Sequence, residues 1–305
     1  EAPDPRRPTR GARPEAPDRS DVRGWVERGG VAYAPGMGAP APTLVELSFT
    51  VEEPHDRLGR WWLEDEDVPE SPLHDAIIEL LMLVLKHEAE ASGRSALVCS
   101  NLGCRWDPDD GRVGTDPDVV LVEPRPSEGE SLTTLRVWEP GHAPPRVAVE
   151  VVSEHHPEKD YLDAPLRCAR LGARELWVFD PKRVGPRDTG GPFRLQVWRR
   201  ESEADRPTMR RTYAGPGPAF SEELAVWLVV TQDGTRLRPS RDPDGRALWP
   251  TAREAERDRA NRAQEHAIRE RERANRERER ANRERERADR LAAELRRRGF
   301  DPVDD

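Results

Sequence analysis

From Ser71 onward the polar and apolar positions fall into one helical stripe followed by short apolar runs. Leu73, Ile77, Leu80, Leu81, Val84 and Leu85 recur at the three- and four-residue spacing of a single helix face. Ser71 and Pro72 supply an N-cap and a first-turn proline, so a helix is predicted to start there and pack on a sheet. After it come Ala96–Cys99, Val119–Val122, Leu135–Trp138, Val147–Val152, Leu176–Phe179, Phe193–Trp198 and Met209–Tyr213. Each is short, rich in Val, Leu or aromatics and bounded by turn residues, the signature of a strand. A second helix is expected between Val152 and Leu176, with Asp163 as its cap, Pro165 in its first turn and Gly172 at its end. Leu224–Val230 and the turn at Asp242-Pro243-Asp244-Gly245 close this region near Thr251. Thr43–Glu52 fits a strand and a short helix equally.

From Arg253 to Arg298 the period changes to seven, as in RERERAN-RERERAN-RERERAD. Ala260, Ala267, Ala274, Ala281 and Ala288 hold one heptad position, and Ile268 shares its neighbour with Asn261, Asn275, Asn282 and Asp289. A coiled coil needs two apolar positions per heptad, and the second is mostly Asn or charge here. Pairs such as Glu272–Arg276 and Glu279–Arg283 support a lone helix by about 0.2–0.5 kcal/mol each. A long charged helix is therefore expected, with self-association through residues 253–298 left open. Residues 1–42 carry eight Pro and six Gly and are read as disordered. The expected division is a Pro/Gly-rich N-terminus at 1–42, an α/β domain at 43–250, a charged heptad helix at 251–298 and an acidic tail at 299–305.

Composition agrees that only part of the 305 residues builds a core. Charged residues make up 36% against 35% apolar, and the mean hydropathy is −0.89. The net charge of −9 is uneven: residues 43–252 carry −12, residues 253–298 carry +5, the N-terminal 42 residues +1 and the tail −3. A body this acidic has no general affinity for polyanions. No run of 18 apolar residues exists, so no membrane-spanning helix is expected. Cys99, Cys104 and Cys168 lack metal-ligand spacing and read as reduced thiols; with no apolar signal core at the start, a cytoplasmic location is expected. Only Lys86, Lys159 and Lys182 are lysines.

Candidate chemistry lies in an acidic constellation. Asp116-Pro117-Asp118 leads into the strand VVLVE, Glu150 interrupts the otherwise apolar VAVEVV, and Asp160 follows ten residues later. A carboxylate at the start of one strand and another inside its neighbour can meet at one point. With a main-chain carbonyl and water they suit octahedral Mg²⁺ or Mn²⁺. The same residues also suit a turn cap at Asp118 and an arginine ion pair at Glu150. His74 reads as a packing or capping residue, His155-His156 as solvated, Trp177 as a core aromatic and Asp180 as a strand end.

The series SPLHDAIIELL, DPDVVLVEP, RVAVEVVSEHHPEKD and RLGARELWVFDP resembles the Uma-type restriction endonucleases of bacteria, in the PD-(D/E)XK nuclease superfamily. DPDGRALWPTAREAE leading into the charged helix resembles a C-terminal extension common in that family, so the likeness spans about residues 60 to 298. It implies a restriction-endonuclease-like mixed sheet flanked by helices and metal-dependent phosphodiester hydrolysis of DNA. Asp118 and Glu150 would hold Mg²⁺ or Mn²⁺ together with the Val151 carbonyl.

This chain departs from the pattern in one respect. The superfamily lysine two residues after the glutamate falls on Val152, and the lysine usual in the Uma type falls on Ala164, with Cys168 at the usual tyrosine. Neither alanine nor valine can position an attacking water or offset developing charge. Lys159, and beyond it Arg167, are the candidate substitutes. Two functions are therefore expected to compete: a metal-dependent endonuclease using Asp118, Glu150 and Lys159, or an inactive relative that works as an interaction protein through its C-terminal helix.

Overall fold

The computed structural model describes residues 47–50, 71–201, 206–231 and 233–298. The N-terminal segment read as disordered and the acidic tail lie outside the described residues, as does most of Thr43–Glu52. Of the part that is described, Ser48–Thr50 is a strand (β1).

The expected helix runs over Pro72–Ala91 (α1), and the Ser71 hydroxyl accepts the His74 amide as the cap. Its stripe buries Ile77, Leu81, Val84 and Leu85, each stabilising the fold by about 2 kcal/mol. Strands follow at Leu97–Ser100 (β2), Gly103–Arg105 (β3), Gly114–Thr115 (β4), Val119–Val122 (β5), Thr134–Arg136 (β6) and Val147–Val151 (β7). The second helix is Ala164–Leu171 (α2), and Gly172 ends it at φ 89°, a left-handed value that suits glycine. Then come Glu175–Phe179 (β8), Leu195–Arg200 (β9), Thr208–Gly215 (β10), Ala219–Ser221 (β11), Val226–Val230 (β12), Leu237–Ser240 (β13) and the helix Ala252–Arg297 (α3).

Seven strands form one sheet in the order β1-β10-β9-β8-β7-β5-β2. Within it β7 and β8 are parallel, joined by the crossover that contains α2, and the other pairs are antiparallel. Two small sheets, β11-β12-β13 and β4-β3-β6, complete the set. The period-two alternation of β7 sets the layers. Val147, Val149 and Val151 join the cluster under α1, whereas Ala148 and Val152 join Ala164 and Cys168 on the α2 side. Glu150 shares the parity of Ala148 and Val152, so its carboxylate faces α2 rather than α1.

Two local expectations are corrected. Asp163 makes no capping hydrogen bond to α2, because the helical path begins earlier, in a π-helical turn over Lys159–Asp163. In α3 the ion pairs formed include Glu265–Arg269, Arg273–Glu277 and Glu286–Arg290; Glu272–Arg276 and Glu279–Arg283 are not among them. Side chains this exposed gain little from one partner over another. The helix starts with a capping box between Thr251 and Glu254 and buries no side chain. Cys99, Cys104 and Cys168 are all free thiols.

Candidate active site

Antiparallel register brings the two predicted carboxylates together. Val119 pairs with Val149 across β5 and β7, so Asp118, one step before β5, lies beside Glu150 near the end of β7. The Val151 amide donates to Asp118 Oδ2 at 2.6 Å, which fixes that carboxylate against the neighbouring strand. Glu150 is 1% exposed, and its Oε1 has no hydrogen-bond partner among the described residues. An ionised carboxylate in such a place is costly unless a positive charge reaches it. Burial, and then the Asp118 charge, push the Glu150 carboxyl well above the usual carboxylate range, and Lys159 opposes them. Among the described residues no arginine is hydrogen-bonded to Glu150, so the ion-pair reading of that residue is not what they form.

Asp160 sits in the π-helical turn, 4% exposed, with Oδ2 accepting the Ser153 amide at 3.3 Å. Burial and the Asp118 charge push its carboxyl up to about 8, against the pull of Lys159, the Ser153 amide and His74. Three acids thus share one electrostatic neighbourhood with Lys159. The Lys159 pKa is raised, first by Glu150 and further by Asp160 and Asp118, although the residue is exposed at the surface. The π-helical turn accounts for this placement: Lys159 belongs to the helical path and does not precede it. Arg167, the other candidate substitute, donates to the Gly114 carbonyl at 3.2 Å and so reaches toward β4.

Sequence reasoning gave His74 too little. Its Nε2 lies 2.8 Å from the Val151 carbonyl oxygen and 3.5 Å from Asp118 Oδ2. The carbonyl can only accept, so the ring donates from Nε2. His74 therefore holds the Val151 carbonyl and lies against the Asp118 carboxylate that the Val151 amide binds. The available signal was its place in the first turn of α1, where the helix meets the sheet. Beyond this contact, a small open cleft is lined by Ser71, His74, Ser153, His155 and Lys182 among others.

The other sequence candidates fall as expected. His155 and His156 are exposed, and Trp177 is fully buried on β8 with its indole N–H on Glu175. Asp180 accepts from the Tyr161 hydroxyl and the Val184 and Gly185 amides, so it organises the loop after β8 and is not part of the acidic group. Ala164 and Cys168 are buried against Ala148 and Val152 on the face that Glu150 looks toward.

Among the described residues no group of three or more His, Cys, Asp and Glu side chains is arranged as a ready metal cluster. The donors do suit a hard divalent cation in kind: two carboxylates, one with an unsatisfied buried oxygen, beside a main-chain carbonyl.

Residues 64–185 match the family model of Uma2, whose description reads "Putative restriction endonuclease". The matched span takes in α1, α2, both paired carboxylates, Lys159 and Asp160. The chain is also similar to a "putative nuclease belonging to DUF820" from Anabaena variabilis ATCC 29413, at 17% identity and a TM-score of 0.35, over 54% of this chain and 82% of that one. No curated protein matches the chain.

Proposed function

We propose that this protein is a metal-dependent DNA endonuclease in which Asp118, Glu150 and the Val151 carbonyl hold Mg²⁺ or Mn²⁺. The observation that supports it most is the unsatisfied oxygen of Glu150, buried beside Asp118 in the segment that matches the Uma2 family. A structural carboxylate so placed would be expected to find an arginine, and among the described residues none is hydrogen-bonded to it. When bound, such an ion offsets charge on a scissile phosphate and lowers the pKa of its water.

The chain's own groups have definite parts in this reading. The Val151 amide orients Asp118, and His74 fixes the Val151 carbonyl, so both strand ends keep their geometry as substrate arrives. Lys159 supplies the positive charge that Ala164 cannot, close to Glu150 and open to solvent.

A second reading has its own observation: Ala164 and Cys168 seal the face where the family's lysine and tyrosine would stand. In that reading the protein is an inactive relative that acts through α3. Cleavage of supercoiled plasmid and single-stranded DNA with Mg²⁺ or Mn²⁺ separates them. The nuclease reading predicts nicking by the parent that disappears in Glu150→Ala and drops at least tenfold in Lys159→Met. A folded parent that cuts neither substrate contradicts it.

A further inference from the structure

The helix α3 carries one long face of a single charge. Arg269, Arg273, Arg276, Arg280, Arg283 and Arg287 follow one another at steps of four and three residues. At 100° per residue these positions form one stripe within about 40° of its centre line, and the glutamates of the same heptads lie about 60–100° to either side. From Arg269 to Arg287 the stripe extends for about 27 Å at 1.5 Å per residue. All of these arginines are exposed. Arg273 pairs with Glu277 and Arg269 with Glu265, both at 3.4 Å and with side chains more than three-quarters exposed for the arginines. Arg276, Arg280, Arg283 and Arg287 have no carboxylate within 4 Å among the described residues.

We infer that this arginine stripe binds the phosphate backbone of duplex DNA and supplies the sequence-independent contact that the acidic body cannot. The choice of polyanion rests on the nuclease reading above. Its physical basis is charge complementarity: residues 43–252 carry −12, while residues 253–298 carry +5, and six of their arginines line one face, with Arg271, Arg278 and Arg285 on the opposite one. Guanidinium groups suit phosphate oxygens through paired N–H donors, and the exposed ion pairs that compete for them are worth little. The same stripe on a second copy of this chain would meet it with like charge, so this face does not favour self-pairing. Because α3 is capped at Thr251 and tied to the body by Arg238 on Glu254, DNA held along it is held by the molecule that carries the acidic site.

The test is binding of a fluorescein-labelled 30-base-pair duplex by the full chain in EDTA, titrated at several salt concentrations from 50 to 200 mM. The parent is expected to bind with a steep salt dependence. R273Q/R276Q/R280Q/R283Q should weaken binding at least tenfold at the low-salt end and flatten the slope of log K against log salt by up to about 4. The matching arginine-to-lysine variant should bind nearly as the parent does. Glutamine is a good helix former and none of these side chains is buried, so circular dichroism should show the helix intact in every variant. A parent that ignores the duplex at 50 mM salt, or a glutamine variant that binds as well as the parent, overturns the inference. So does a parent that sediments as a dimer which the glutamine variant dissolves while DNA binding stays unchanged. A parent that binds through the stripe and cuts nothing upholds the inference and defeats the nuclease reading.

Discussion

Burial and the nearby Asp118 charge push the Asp160 carboxyl up to about 8, so a carboxylate that is ionised in the unfolded chain near neutral pH resists ionisation in the fold. Its stabilising contribution is complete below the ordinary aspartate pKa and is lost as pH rises through about 8; Glu150 acts in the same direction. In EDTA the thermal midpoint should therefore fall between about pH 4 and pH 8, and Asp160→Asn should make that fall shallower. Identical pH profiles for parent and variant would show that Asp160 is not held in this state. Ala164 is the other residue with a definite consequence. It is 2% exposed on the face toward Glu150, so Ala164→Lys should cost about 1–3 kcal/mol in urea denaturation through overpacking. The same variant should raise plasmid cleavage by restoring the absent charge, and a folded variant no faster than the parent would contradict that role for position 164.

At the scale of elements, Glu175 shows what joins the large sheet to the small one. It is fully buried at the start of β8 and accepts from the Trp177 indole, the Arg199 guanidinium and the Glu222 amide just after β11. Glu175→Ala should destabilise the protein by about 3 kcal/mol in denaturant titration, because it leaves these donors unpaired around a buried site. A loss below 0.5 kcal/mol would mean that the carboxylate does not tie the two sheets. Elements with strong periodicity were the legible ones. The stripe of α1, the apolar runs of β5, β7 and β8 and the alanine heptads of α3 all speak through burial or spacing that a sequence displays. The strands β3, β4 and β11 were not legible, being two or three residues long and held by pairing partners distant in the chain. The π-helical turn was hidden as well: Asp163-Ala164-Pro165 reads as a helix start, whereas the path is already helical from Lys159.

The paired acids were legible as types and order, since a lone glutamate in VAVEVV has few reasons to be there. What the sequence lacked was the third dimension: the α1 histidine that reaches Val151, and the turn that carries Lys159 toward Glu150.

For the whole molecule, α3 and the body are nearly independent in energy. The helix buries no side chain, and the Arg238–Glu254 ion pair ties it to the body, with Glu254 about half exposed. Ending the chain after Pro250 should therefore change the body's stability by about 1 kcal/mol or less, as read by thermal or urea denaturation. A collapse of the fold on that truncation would mean that α3 supports the sheet.

The central claim concerns a cation at Asp118 and Glu150, and the most direct measurement is Mn²⁺ binding by electron paramagnetic resonance of the free ion. At pH 7.5 the full-length parent should remove Mn²⁺ from solution at close to one ion per chain. Glu150→Ala should lose that binding, while His155→Ala, on an exposed loop residue, should keep it. Equal Mn²⁺ binding by the parent and Glu150→Ala, or none by a folded parent, would contradict the claim.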